Sequence, residues 1–214
     1  GLIVLTGRLS DAALRSVARS LPVVVTGRSL RAGNLVSLDF DNREGARQAT
    51  QHLIDLGHRR IAFITGDPRH PDAIERQRGY QMALEAAGLR IDPTIVQQGD
   101  FSERSGLAAA QALVASGVPF SSVFAANDQM AFGAALGLYR HGRLVPEDVS
   151  LVGFDDLAGS VYFVPPLTTV HNPIQEIGQL AARAMLGLLS GESPRCEVPA
   201  PRLVVRESTR TKPA

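Results

Sequence analysis

At 214 residues, 44% of them hydrophobic and 20% charged, the chain can bury a substantial core, as one domain or as two small lobes. Its net charge of +1 offers no basic face for nucleic acid, no apolar run approaches the ~20 residues of a membrane span, and no Lys/Arg-led apolar segment resembles a secretion signal. The single cysteine, Cys196, excludes an internal disulfide, reads as a small half-buried apolar residue and fits a reducing compartment, so a cytoplasmic location is expected.

In chain order, LIVLTG (2–7) reads as a strand, followed by a helix over about 11–20 and a second strand in VVVTGR (23–28). Two strands make too small a doubly wound sheet to be covered on both faces, which predicts further material upstream of Gly1. A helix over about 42–56 carries Ala46, Ala49 and Leu53 on one stripe, and another over about 73–87 carries Tyr80, Ala83, Leu84 and Ala87. Gly57 and Gly88 stand where those helices need C-caps. Strands follow in IAFITGD (61–67), SSVFAAND (121–128) and VSLVGFDD (149–156), where Val149, Leu151 and Val152 fit a strand covered on both faces. A strand at 168–170 leads into a helix over 174–189, with Ile174, Ile177, Ala181, Ala184 and Leu188 on one stripe. Such alternation predicts βαβ units, hence parallel strands joined by right-handed crossovers. Polar residues after each strand then gather on the edge where open α/β sheets bind small molecules.

Seven stretches resemble, in order and spacing, the LacI/GalR family of bacterial transcription regulators: GHRRIAFITGD (57–67), ERQRGYQMALEAAG (75–88), GDFSERSG (99–106), ANDQMAFGA (126–134), VPEDVSLVGFDD (145–156), PPLTTVHNP (165–173) and LVVREST (203–209). The resemblance covers essentially the whole chain. It implies an α/β, two-lobed fold similar to type I periplasmic binding proteins, each lobe a doubly wound parallel sheet and the first lobe incomplete. The N-terminal lobe would hold residues 1–41 plus 173–198 and the C-terminal lobe 42–172 plus 199–209, with a tail at 210–214. Such a core resembles the sensing part of a homodimer. A small, sugar-like effector would bind between its lobes and control operator DNA held by an N-terminal helix-turn-helix that this chain lacks.

Candidate ligand residues follow from chemistry and resemblance together. Arg76, in the ERxRG stretch, can present a fork of donors to vicinal hydroxyls or a carboxylate from the first turn of its helix; the alternative is a surface pair with Glu75 or Asp72. Asp155 suits a ligand rich in donors and occupies the family's place for the carboxylate that holds the effector; its alternative is a helix cap near Leu157, a task for which Asp156 competes. Asn127 offers donor and acceptor at a helix start, with Asp128 read as the N-cap. Phe101 stands where relatives place a ring over the ligand, against plain core packing. Asn172 is shorter than the Gln many relatives carry, which leaves its contact open. Arg28, Asp67 and Asp72 complete the candidates.

Other chemistry finds little support. Neither GxGxxG nor GxxxxGK occurs, the five histidines make no i, i+4 pair, and no nucleophile elbow is present, so no cofactor, metal or enzymatic activity is expected. His58 reads as a helix-end residue facing terminal carbonyls. The leading reading is therefore a regulator's sensing core; the alternatives are a periplasmic sugar receptor of a transporter and an α/β enzyme using Asp155 and Arg76.

Overall fold

The computed structural model describes residues 1–5 and 9–212, so Thr6 and Gly7 of the expected first strand and residues 213–214 of the expected tail lie outside the described residues. The chain divides into two compact units, one of Gly1–Asp41 and Pro173–Ala200, the other of Asn42–Asn172 and Pro201–Ala214. The first begins with β1 (Leu2–Val4), α1 (Asp11–Val17), β2 (Val23–Thr26) and β3 (Leu35–Leu38), whose strands form a parallel sheet in the order β1-β2-β3. Ser10 caps α1, its hydroxyl accepting from Ala13 N at 3.2 Å, and the helix ends at Val17 rather than near 20. β3 was not among the expected strands.

The second unit is built by α2 (Asn42–Asp55), β4 (Ile61–Thr65), α3 (Pro71–Ala86), β5 (Val96–Gln98), α4 (Glu103–Ala115), β6 (Ser122–Ala125), α5 (Asp128–Arg140), β7 (Ser150–Asp155) and β8 (Thr168–His171). α6 (Ile174–Leu189) then returns to the first unit, where Ala181, Ala184, Met185 and Leu188 cover Val24 and Leu38 on the sheet face opposite Leu14 of α1. β9 (Arg202–Val204) completes the second sheet, ordered β5-β4-β6-β7-β8-β9. Its strands run parallel except β9, which pairs antiparallel with β8 and corrects the expectation of uniformly parallel strands.

In the second unit α2 and α3 pack on each other over one sheet face and α4 and α5 over the other. Both pairs approach closely enough to require glycine. A Cβ at Gly79 would lie 2.1 Å from the Arg43 carbonyl oxygen, and one at Gly133 would lie 1.8 Å from that of Glu103. Phe63 stacks on Tyr80 and Phe124 at 4.7 and 5.1 Å between ring centroids, and the Tyr80 hydroxyl donates to Ile61 O at 2.8 Å, so this buried ring keeps its polar end satisfied. The C-terminal segment straps the sheet. Ser208 Oγ donates to Leu151 O at 2.6 Å and accepts from Thr168 N at 2.8 Å.

His58 does stand at a helix end, its amide donating to Leu53 O of α2 at 3.1 Å, and its ring joins the same strap. Its ring is buried, with Nδ1 2.9 Å from Ser121 Oγ and Nε2 3.1 Å from both Ser150 Oγ and Arg210 O. Burial holds its pKa below the usual histidine value, although the Arg210 carbonyl pulls the other way. Among the described residues no helix is long and apolar enough to cross a membrane. Because β4, β5, β6 and β7 are parallel, their carboxyl ends and the residues that follow them share one edge of the sheet.

Candidate functional site

Arg76 organises that edge. Its side chain is 4% exposed, which rules out the surface alternative, and Glu75 instead pairs with Arg43 and Arg78. Helix α3 starts at Pro71, a residue preorganised for the first helical position, so Arg76 stands in the second turn and not the first. The guanidinium donates to Asn42 Oδ1 at 2.8 Å, to Ala126 O at 2.6 Å and to Asp155 Oδ1 at 3.1 Å. It lies 3.7 Å above the centroid of the Phe154 ring and 5.9 Å from that of Phe101. Three of the five N–H groups of the planar fork are thereby held by α2, by the residue after β6 and by β7, with an aromatic face against the guanidinium.

Asp155 faces it from the end of β7. Burial pushes the Asp155 carboxyl above the usual carboxylate range, while the Arg76 guanidinium and the Asn172 amide oppose that shift. Asn172 Nδ2 donates to Asp155 Oδ1 at 3.3 Å, so the short amide does reach the carboxylate; its own Oδ1 is buried without a hydrogen-bond partner. The α5 N-terminus contributes Asn127, which corrects the sequence reading: Asn127, not Asp128, is the N-cap, accepting from Met130 N at 2.9 Å while its Nδ2 donates to Phe101 O at 2.9 Å. The Phe101 ring lies against Gly66, where a Cβ would come within 2.1 Å of it, and meets the His70 ring edge-on at 5.5 Å.

Backbone strain marks the same residues. Among the described residues, three non-glycine positions have positive φ: Phe101 at 72°, Asp155 at 108° and Asp156 at 54°. Each costs about 1–3 kcal/mol and persists only where surrounding bonds over-determine it, which is characteristic of ligand sites.

The remaining candidates scatter. Asp72 is close enough to push Asp155 up electrostatically, and its backbone N–H donates to His70 Nδ1 at 3.3 Å. Asp67 is engaged by Arg69 at 2.8 Å, and the Arg69 side chain and amide lower its pKa to about 2. Arg28 lies in the first unit, donating to Leu9 O at 2.6 Å and pairing with Asp11 at 3.1 Å. Asp156 caps nothing: it accepts from Arg206 at 2.6 Å and contacts His171 Nδ1 at 2.9 Å. Burial raises its pKa, but the bonds from Arg206 and His171 outweigh that and leave it lowered. The segment 158–161 is a 3-10 turn with no side-chain cap, so the expected helix cap by Asp155 or Asp156 is absent. Among the described residues no cluster of three or more His, Cys, Asp or Glu could hold a metal.

Sequence reasoning did not find Asn42, Phe154 or Asp128. Asn42 lies 34 residues before Arg76 and reads only as a helix start. Phe154 could have been found, since a strand-end aromatic directly before the candidate carboxylate is placed to support whatever that carboxylate binds.

This fold, with its polar edge at the carboxyl ends of parallel strands, defines a periplasmic binding protein-like domain, and the family model of that description matches residues 50–209. The transcriptional regulator CelR of Thermobifida fusca is 42% identical over 192 residues, 88% of this chain and 56% of CelR. A solved sugar-binding transcriptional regulator of the LacI family from Escherichia coli, complexed with phosphate, matches with a TM-score of 0.91 at 31% identity, over 98% of this chain and 77% of its own. A CelR–cellobiose complex matches with a TM-score of 0.86 at 38% identity, over 97% and 65%. The chain belongs to the LacI family of transcriptional regulators. It spans 52–63% of the length of its first curated relatives, all of them transcriptional regulators, which disfavours the transporter-receptor and enzyme readings.

Proposed function

We propose that the chain is the effector-sensing core of a transcriptional regulator, which binds a neutral polyhydroxylated molecule, a mono- or disaccharide, at the carboxyl edge of the second sheet. The observation that carries this reading is the buried Arg76–Asp155 pair at 3.1 Å, its guanidinium over the Phe154 ring and its carboxylate on strained backbone. Asp155 supplies acceptors and Arg76 donors, a pairing that vicinal hydroxyls satisfy together, and the orphan Asn172 Oδ1 adds an acceptor that lacks a donor. Asn127 and Phe101 provide an amide and a stacking ring for the sugar's polar rim and apolar face. Asp72 acts on Asp155 electrostatically, while Asp67 is taken up by Arg69. The cellobiose complex of CelR supports the ligand class.

Effector binding changes the affinity of the full-length protein for operator DNA, which is gripped by segments outside this chain, and the protein acts as a cytoplasmic homodimer. The second unit exposes Leu136 and Tyr139 on α5 beside Val161, Tyr162 and Val164, the last two 84% and 87% exposed, and the Phe132–Phe163 stack at 5.2 Å ties that loop to the helix. Such an apolar patch is suited to a twofold contact between identical chains. A thermal-shift screen of mono- and disaccharides, cellobiose among them, against the full-length gene product tests the ligand class. A saccharide at 100 times its Kd raises stability by about 2.7 kcal/mol, and no shift with any saccharide would overturn the reading.

A further inference from the structure

Asp128 is the most completely enclosed carboxylate of the second unit, with no exposed surface, and the proposed site does not use it directly. At the first position of α5 its Oδ2 accepts from Leu157 N at 2.8 Å and Ser160 Oγ at 2.6 Å, and its Oδ1 accepts from Thr169 Oγ1 at 2.5 Å. The Thr169 hydroxyl in turn accepts from Asp156 N at 3.4 Å. Both amides that follow Asp155 are therefore tied, directly or through one hydroxyl, to a single carboxylate on another element. Those amides belong to the turn in which Asp155 and Asp156 adopt φ of 108° and 54°. The chain has also made room for the arrangement: a Cβ at Gly153, two residues before Asp155 on β7, would stand 2.2 Å from Asp128 Oδ1.

We propose that Asp128 is a positioning residue for the ligand site, a buried peg that holds the strained turn after β7 so that the Asp155 carboxylate is presented to Arg76 and to the effector. A helix cap needs only one of these bonds, and Asn127 already caps α5. The three bonds Asp128 accepts all come from the turn, from the 158–161 segment or from β8. Burial pushes its carboxyl up to about 6, against the pull of Ser160, Thr169 and the Leu157 amide. The role of Asp155 rests on the sugar-binding reading above; the geometric role of Asp128 does not.

Crystal structures of the full-length protein carrying Asp128→Ala, Thr169→Val or Thr169→Ser test it. In Asp128→Ala and Thr169→Val, Asp155 should leave positive φ and the Arg76–Asp155 contact should open beyond hydrogen-bond reach, while Thr169→Ser, which restores the hydroxyl, keeps both as in the native protein. The Arg76 Nη2–H resonance, whose proton is donated to Asp155, gives the same answer in solution, moving in the first two variants and not in the third. Thr169→Val leaves the carboxylate in place and decides the matter should Asp128→Ala fail to fold. Cellobiose is the probe for affinity: its Kd should weaken roughly tenfold in Thr169→Val and stay near native in Thr169→Ser. Absence of cellobiose binding by the native protein counts against the effector reading alone. An unchanged Asp155 turn and an intact Arg76 contact in Thr169→Val overturn the positioning role.

Discussion

Replacing Arg76 by methionine removes the guanidinium while leaving an unbranched apolar side chain over the Phe154 ring. The native group makes bonds of 2.8, 2.6 and 3.1 Å to Asn42, Ala126 and Asp155, and its loss leaves the Asp155 carboxylate buried without its cation. Removing one partner of a buried ion pair costs about 3–5 kcal/mol, mostly through the charge left uncompensated. That cost must therefore depend on pH. Burial already raises the Asp155 carboxyl, and without Arg76 it rises further. A carboxyl whose folded pKa exceeds its unfolded value binds protons more tightly when folded. Its protonated form relieves the cost in acid, and stability falls as pH climbs from about 4, the unfolded value, through the raised folded one. Urea denaturation followed by circular dichroism should show a deficit of about 3–5 kcal/mol for Arg76→Met near neutral pH and a clearly smaller one at about pH 4. Adding Asp155→Asn should recover part of the neutral-pH loss. Equal deficits at both pH values, with no recovery in the double variant, would refute the uncompensated-charge argument.

Three further outcomes follow from packing. Gly133→Ala should lower thermal stability by about 1–3 kcal/mol or more, despite alanine's better helix propensity, because its Cβ meets the Glu103 carbonyl; an unchanged melting temperature would contradict the α4–α5 approach. Ser208→Ala should cost about 1–3 kcal/mol in urea denaturation, since it leaves Leu151 O and Thr168 N buried without their partner, and a neutral result would mean that the strap is not held by this hydroxyl. The full-length protein should sediment as a dimer at micromolar concentration and Tyr162→Asp should shift it to monomer, whereas a native monomer would remove the case for the apolar patch.

Much of this architecture is legible in the residues because burial on both sheet faces forces continuous apolar runs such as Val149 to Val152, and because parallel connections push the polar residues to one edge. Asp155 and Asn127 are legible as candidates for that reason, and Arg76 and Asn172 chiefly through the resemblance; the structure puts Arg76 and Asn172 both within hydrogen-bond reach of Asp155. What was hidden is two-dimensional in origin. β3 and β5 are only 4 and 3 residues long and gain their identity from neighbouring strands rather than from any pattern of their own. Asn127 and Asp128 are both good capping residues, and sequence cannot say which of two adjacent caps is taken; the structure gives the helix to Asn127 and sends Asp128 inward. The positive φ of Phe101 and Asp155 is equally invisible, since neither is glycine and the bonds that hold them span up to 29 positions, as Phe101 O from Asn127 Nδ2 and the turn after Asp155 from Asp128.

The most direct test of the account is a calorimetric titration of cellobiose and of the best saccharide from the screen into full-length native protein and its Asp155→Ala variant. Asp155→Ala removes the acceptors that face Arg76, so saccharide binding should be lost or weakened by roughly 1.5–3 kcal/mol while the variant remains folded by circular dichroism. Saccharide binding of equal affinity in the two proteins would contradict the placement of the site at the Arg76–Asp155 pair.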